Sequence, residues 1–308
     1  AHVRFGADVL EVTTFRGPIT DSHERDDTGR ILSDNEYGTL EQDAFRRDFT
    51  VNALYYDIRD FSIVDFTGGL NDLEHKSLRL IGDPELRYRE YQVRMIRAVR
   101  IANKLGFHLE EATAAPMLAL NHLLAEIPPA RLFDEVIKVL QSAQAVANFR
   151  WLRSLGLFGQ LFPDSERAIA RDPKALAFVE QALTNTAARM VNDQPVSPAF
   201  LYAALLWPVV RARFESLVQH QGTHPNVAIS QASEEALARA VLRVAIPKRF
   251  SFPMREIWMI QPRFEIRQGG RAKRLPTHPR FRAAYDFLLV RAAVGEAEQA
   301  AADFWTEA

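Results

Sequence analysis

The stretch Arg87–Leu105, "RYREYQVRMIRAVRIANKL", places five arginines among its first fourteen residues and still keeps an apolar rhythm. Met95, Ala98, Val99, Ala102 and Leu105 fall at i, i+3, i+4, i+7 and i+10. That spacing predicts a helix over 87–105 with one buried stripe. Glu90, Arg94, Arg97 and Ile101 follow i, i+4, i+7 and i+11, so Arg94 and Arg97 are expected to project together. Glu90 would lie one turn earlier, where a carboxylate suits the helix N-terminal dipole. Two forked guanidiniums on one face suit phosphates or base edges, and the same face also suits solvated Glu–Arg pairs.

Everything before this stretch reads as a small α/β piece, and everything after it as helices. "HVRF" and "VLEVTTF" flank the turn "GAD" and predict a β-hairpin over 2–16. Residues 17–43 are polar, charged and without a usable period, as in a functional or disordered loop. "AFRRDFTVNALYYDI" follows, with Thr50 as a candidate helix N-cap, and "FSIVDF" reads as a short strand ended by "TGGLNDL". From Leu86 onward, helical segments are expected at 87–105, 111–125, 129–142, 144–155, 174–192, 197–220, 231–245, 250–262 and 279–300, punctuated by prolines. The fold class is therefore α+β, with the boundary between Leu73 and Arg87.

The 308 residues are enough for two or three packed units, and the composition, 47% hydrophobic and 25% charged, is that of a globular chain. A net charge of −1 means that an anionic partner must be drawn by local patches. The absence of cysteine excludes disulfides, thiolate nucleophiles and cysteine zinc sites, and fits a cytoplasmic location. No apolar run of about 18 residues suggests a membrane span. The N-terminal "AHVRFGADVLEVTTFRG" lacks a signal-peptide layout and opens almost inside a strand. A chain beginning this way is expected to be the remainder of a longer one.

Chemistry concentrates in three further places. "RRDFTVN" (Arg46–Asn52) offers bidentate donors, an acceptor at Asp48 and an amide at Asn52, a set that can hold a polyanion and a ribose hydroxyl or simply cap a helix. Glu11 is a lone carboxylate in a strand-forming run, either a metal or cation ligand if it faces inward or a solvated edge residue. Between Lys248 and Arg282, ten basic residues stand against Glu256 and Glu265. They include Lys248, Arg249, Arg267, Arg271, Lys273 and Arg274, with Trp258, Phe264 and Phe281 interleaved. Basic residues with aromatics read as a nucleic-acid track. The histidines show no HExxH spacing, and no GxSxG, P-loop or GxGxxG occurs. "SPAFLYAALLWPVV" is apolar on several sides and is expected to be core.

In order along the chain, "EVTTFRG", "RRDFTVNALYYDI", "VDFTGGLNDL", "LRLIGDPELRYRE" and "VRMIRAVRIANKLGF" resemble the class II nucleotidyltransferases. These are the bacterial poly(A) polymerases and the CCA-adding tRNA enzymes. "IPPARLFDEVIKVLQ", "VSPAFLYAALLW", "AIPKRF" and "HPRFRAAYDFLLVRA" are closer to the poly(A) polymerases. The resemblance covers most of the chain. It implies a partial nucleotidyltransferase head over 1–78, a helical neck with the nucleotide-selecting motif over 79–165, and a helical RNA-gripping body and leg over 166–308.

The implied reaction is template-free transfer of AMP from ATP to RNA 3′ ends, with two Mg²⁺ ions, in an enzyme associated with RNA-degradation machinery. By the same resemblance, Glu11 matches an acidic, metal-facing position of the head, and Asp48 is counted among the active-site acids. Arg47 and Asn52 organise the nucleotide. Glu90, Tyr91 and Arg94 occupy the nucleotide-selecting motif, and Arg97 supports the triphosphate. The sequence departs from the family twice. The family's glycine–serine motif and Asp-x-Asp metal pair lie upstream of "AHVRFG", so residues 1–308 alone are expected not to add AMP. Tyr91 and Gln92 stand where the family has Asp and Pro, which predicts weakened discrimination of ATP. The alternatives are a CCA-adding enzyme and a non-catalytic RNA-binding remnant.

Overall fold

A computed structural model describes residues 1–6, 8–17 and 36–307, without the side chain of Arg271. The chain divides into two units, Ala1–Glu126 and Ile127–Ala308. Most of the loop expected over 17–43, and Ala7 of the expected hairpin turn, lie outside the described residues.

The first unit carries the short strands. β1 (His2–Phe5) and β2 (Asp8–Glu11) pair antiparallel, with His2 opposite Glu11. α1 (Leu40–Arg46) opens on a capping box in which the Thr39 hydroxyl and the Gln42 amide satisfy each other's backbone N–H. β3 (Leu54–Asp57) and β4 (Ser62–Asp65) form a second hairpin. α2 (Gly69–Glu74) follows at once, because the Asp65 carboxylate accepts from the backbone N–H groups of Thr67, Gly68, Gly69 and Leu70. Gly69 is required there, since a Cβ would stand 2.4 Å from the Thr50 carbonyl oxygen.

β5 (Ser77–Leu78), α3 (Pro84–Glu90), α4 (Val93–Leu105) and β6 (His108–Leu109) complete the frame, with β5 and β6 parallel. α5 (Glu111–Ala114) and α6 (Met117–Leu120) end the unit. Phe49, Leu78, Tyr88, Met95, Val99 and Ala102 are fully buried.

Two expectations need correction here. The helix expected over 87–105 is two helices, broken where Tyr91 takes an extended conformation (φ −156°, ψ 91°). The apolar stripe survives the break, with Met95, Ala98, Val99 and Ala102 at 0% exposure, although Leu105 is exposed. Glu90 therefore closes α3 and does not open the arginine helix. A proline at 92, as the resembling motif has it, would impose the same break, because the residue before proline is held extended. Thr50 caps no helix: its hydroxyl donates to the buried Asp72 at 2.6 Å, and Thr50–Asn52 makes a single 3₁₀ turn.

The second unit is helical: α7 (Pro129–Leu140), α8 (Ala145–Ser154), α9 (Leu157–Leu161), α10 (Pro163–Arg171), α11 (Pro173–Val191), α12 (Pro198–Gln221), α13 (Pro225–Ala240), α14 (Lys248–Ile260), α15 (Gly269–Arg274), α16 (Phe281–Ala293) and α17 (Gln299–Glu307). Proline opens α7 and α10 through α13, where the missing N–H costs nothing. α12 is the axis, buried continuously from Leu201 to Val210, as its all-round apolar sequence requires. Trp207 packs edge-on to Phe287, and its indole N–H donates to Glu296 at 2.7 Å. Among the described residues, no helix is long and apolar enough to cross a membrane.

Candidate functional site

The end of α1 delivers "RRDFTVN" into a turn fastened to the segment that follows β5. The Asp48 carbonyl accepts from Ile81 N–H at 2.9 Å, and Thr50 N–H donates to the Arg79 carbonyl. With the main chain fixed, the Asp48 carboxylate accepts from Phe49 N–H at 3.0 Å and from the Asn52 amide at 3.4 Å. Its other oxygen meets the Arg97 guanidinium at 2.5 Å. The structure thus brings Asp48 and Asn52, in the turn after α1, together with Arg97 of α4.

Arg47 faces the same region. It donates to Asp43, to the Tyr55 hydroxyl at 3.1 Å and to the Asn52 carbonyl at 3.1 Å, and it lies over the Tyr55 ring. Burial works to lower its pKa, but hydrogen bonding to Tyr55 and the charge of Asp43 outweigh that and raise it. Arg87 acts as a strut, donating to the carbonyls of Arg46 and Arg47 and to Glu90.

Arg94 is drawn inward. Its side chain is 11% exposed and donates to the Arg87 carbonyl at 2.6 Å and to Glu90 at 3.2 Å, with the Tyr91 ring 5.5 Å away. Burial, and then repulsion from Arg87, push its guanidinium down to about 10, still charged at neutral pH. Glu90 accepts from both Arg87 and Arg94. Arg97 is the more open of the pair, at 35% exposure. Four arginines, 47, 87, 94 and 97, thus gather around three carboxylates, Asp43, Asp48 and Glu90, a balance that leaves local positive charge for an anion.

Glu11 is not part of this cluster. Its side chain is 71% exposed on β2, with His2 at 3.8 Å. Asp48 is already committed to Arg97 and Asn52. Among the described residues, no group of three or more His, Asp or Glu side chains could hold a metal ion. The described residues do not fit a two-metal site.

A cleft of about 240 Å³ lies behind the turn, lined by Phe45, Thr50, Phe66, Arg79, Pro84 and Glu110 among others. It includes none of Asp48, Arg94 or Arg97, so the cleft and the charge cluster are distinct features.

In the C-terminal segment, the expected interleaving of aromatics needs correction. Trp258 and Phe264 are at 0% exposure, and Phe281 packs on Phe264 and Trp305. The indole of Trp258 donates to the Ala203 carbonyl. Helical spacing turned these rings to the core, so they offer no stacking surface. Several of the cations are also paired: Arg255 with Glu234, Arg267 with Glu298, Arg280 with Glu256 and Arg282 with Asp286. Lys248, Arg249, Lys273 and Arg274 are exposed. Arg249 lies over the Phe250 ring, and Arg274 donates to the Gly270 carbonyl. The side chain of Arg271 lies outside the described residues.

The sequence pointed to Arg47, Asp48 and Asn52 but missed Asp43, Tyr55 and Arg87. Asp43 had a signal, because it precedes Arg47 by one helical turn. Tyr55 had none, since only the β3 pairing brings it back to α1.

Comparison with known proteins matches this layout. Residues 1–79 match the poly A polymerase head domain, 106–169 the probable RNA and SrmB-binding site of polymerase A, and 221–308 the polymerase A arginine-rich C-terminus. Poly(A) polymerase I of Salmonella typhimurium is 43% identical over 100% of this chain and 68% of its own length. The chain belongs to the poly(A) polymerase family.

Poly(A) polymerase I of Escherichia coli O157:H7 is 44% identical over 96% of this chain, which spans 65% of that relative's length. This is a nucleotidyltransferase family. The fold resembles that of a CCA-adding enzyme in an apo form, with TM-score 0.65 and 18% identity over 96% of this chain and 62% of that one. It also resembles the Thermotoga maritima CCA-adding enzyme complexed with tRNA, with TM-score 0.59 and 18% identity over 87% and 60%.

Proposed function

We propose that this chain provides the nucleotide-organising and RNA-holding parts of a template-independent RNA adenylyltransferase. In that reaction the RNA 3′-oxygen bonds to the α-phosphorus of ATP, the α–β phosphoanhydride bond breaks, and pyrophosphate leaves. The observation that carries the reading is the Asp48–Arg97–Asn52 constellation beside Arg47. Arg47 and Arg97 supply guanidinium edges for a triphosphate, and Asn52 offers an amide for the sugar. Asp48 keeps both groups in register. Lys248, Arg249, Arg267, Arg271, Lys273 and Arg274 supply phosphate contacts to RNA, and Mg²⁺ would be held by acids other than those described.

Support for adenylyl rather than CCA addition comes from the poly(A) polymerase relatives, which match 96% to 100% of the chain. A CCA-adding enzyme of Bacillus pumilus matches 49% of this chain at 38% identity. The deciding experiment incubates the full-length gene product with ATP, CTP or both, and with RNAs ending in various sequences. A growing tail from ATP alone supports the proposal, whereas addition stopping at a discrete CCA on tRNA refutes it. The same assay on residues 1–308 alone should yield no extension. Tailing by that polypeptide would overturn the expectation that the metal-binding acids lie elsewhere.

A further inference from the structure

We propose that Asp43 is a positioning residue for nucleotide binding, acting through Arg47. The proposal rests on the assignment of Arg47 to the triphosphate. Asp43 has a side chain only 5% exposed, yet it is no passive core residue. One of its oxygens accepts from the backbone N–H and the Nε of Arg16, at 3.2 and 3.1 Å. The other accepts from Nε and Nη2 of Arg47, both at 3.3 Å, and from the Tyr55 hydroxyl at 2.7 Å. One carboxylate therefore joins the segment after β2, the last turn of α1 and strand β3.

Hydrogen counting gives this junction its meaning. A guanidinium has five N–H donors. Asp43 takes the side-on pair, Nε and Nη2, and the Asn52 carbonyl takes one hydrogen of Nη1. Tyr55 shares the Nε hydrogen. One hydrogen remains on each of Nη1 and Nη2, and these two donors are left for oxygens of a phosphate. The Arg47 side chain is 40% exposed, so it is open in part to a ligand from solvent.

Asp43 thus occupies the inner edge of Arg47 and leaves the outer one for the ligand. Burial would raise the Asp43 pKa, but hydrogen bonds from Tyr55 and Arg16 outweigh it and hold the carboxyl below its usual range. The acceptor therefore stays ionised at neutral pH. An asparagine would fill the space but would turn an amide donor toward one of these donors.

The test measures equilibrium binding of radiolabelled ATP, and KM against kcat, in the full-length gene product carrying D43N, R47Q or both. D43N and R47Q should each weaken ATP binding by about tenfold, an effect of ~1.4 kcal/mol, and raise KM more than they lower kcat. The double variant should be no weaker than R47Q, because Asp43 acts only through Arg47. Losses that multiply, or unchanged ATP affinity in a folded D43N, would overturn the proposal. If R47Q leaves ATP binding unchanged, the nucleotide assignment of Arg47 fails instead. Should D43N not fold, Tyr55→Phe removes one partner of the same pair. It should weaken ATP binding by about two- to threefold in the presence of Arg47 and not in R47Q; equal loss in both backgrounds refutes the idea.

Discussion

The Asp48 carboxylate and the Arg97 guanidinium meet at 2.5 Å and fasten α4 to the turn that follows α1. The pair fixes how α4 stands relative to the turn proposed to bind the triphosphate. Arg97→Ala removes the partner of a carboxylate that is 12% exposed. Leaving such a group unpaired should cost about 1–3 kcal/mol locally. Hydrogen exchange of the Ile81 N–H, which bonds to the Asp48 carbonyl, should accelerate in Arg97→Ala and less in Arg97→Lys. Equal protection in all three proteins would mean that the pair contributes nothing.

Tyr91 lies against Arg94, and Arg94 spends its donors on the Arg87 carbonyl and Glu90. A tyrosine cannot offer the paired acceptors with which a carboxylate would orient that guanidinium toward a purine edge. Tyr91→Asp in the full-length protein should therefore raise the ratio of ATP to CTP affinity by about tenfold, as expected for one gained charge-assisted pair. Equal selectivity before and after the change would remove Tyr91 from the specificity argument.

Asp65 links β4 to α2 through four backbone N–H groups. Burial would raise its pKa, but these four bonds hold it below the ordinary 3.8. A depressed folded value means that the stabilisation is complete above about 3.8 and is lost as pH falls through the folded value. Thermal melting should thus show Asp65→Asn destabilised by about 1–3 kcal/mol near neutrality, where a carboxylate is traded for an amide. The gap to the parent should narrow as pH falls below the ordinary carboxylate value of 3.8. A gap that stays constant with pH would show that the charge of Asp65 is irrelevant.

What was legible in the sequence follows physical lines. Periodicity exposed the buried stripe of α4, because core contact repeats with the helix. It could not expose the break at Tyr91, since both flanking helices keep compatible apolar positions. Arg47 and Asp48 were legible as residue types, but their partners Tyr55 and Arg97 come from other elements, and only packing brings them together. The aromatics near the C-terminus misled for the same reason. Composition placed Trp258 and Phe264 beside basic residues, whereas helix phase sent them to the opposite side.

With Trp258 and Phe264 buried and Phe252 the one strongly exposed ring among the described residues of Lys248–Arg282, binding by the C-terminal segment should be dominated by phosphate contacts and should depend on salt more than on base identity. Lys273 and Arg274 are exposed, while Arg280 and Arg282 are engaged by Glu256 and Asp286. Exposed ion pairs hold weakly, so pairing lowers the availability of those arginines without abolishing it. The contrast is measured as the slope of log K against log salt for single-stranded RNA. Lys273→Ala and Arg274→Ala should each reduce the slope by about 0.7, the value for one phosphate contact, and weaken poly(A) and mixed-sequence RNA alike. Arg280→Ala and Arg282→Ala should change it less. Equal changes in all four variants would show that the ion pairs do not select the contacts, and no change in any of them would place the RNA elsewhere on the protein.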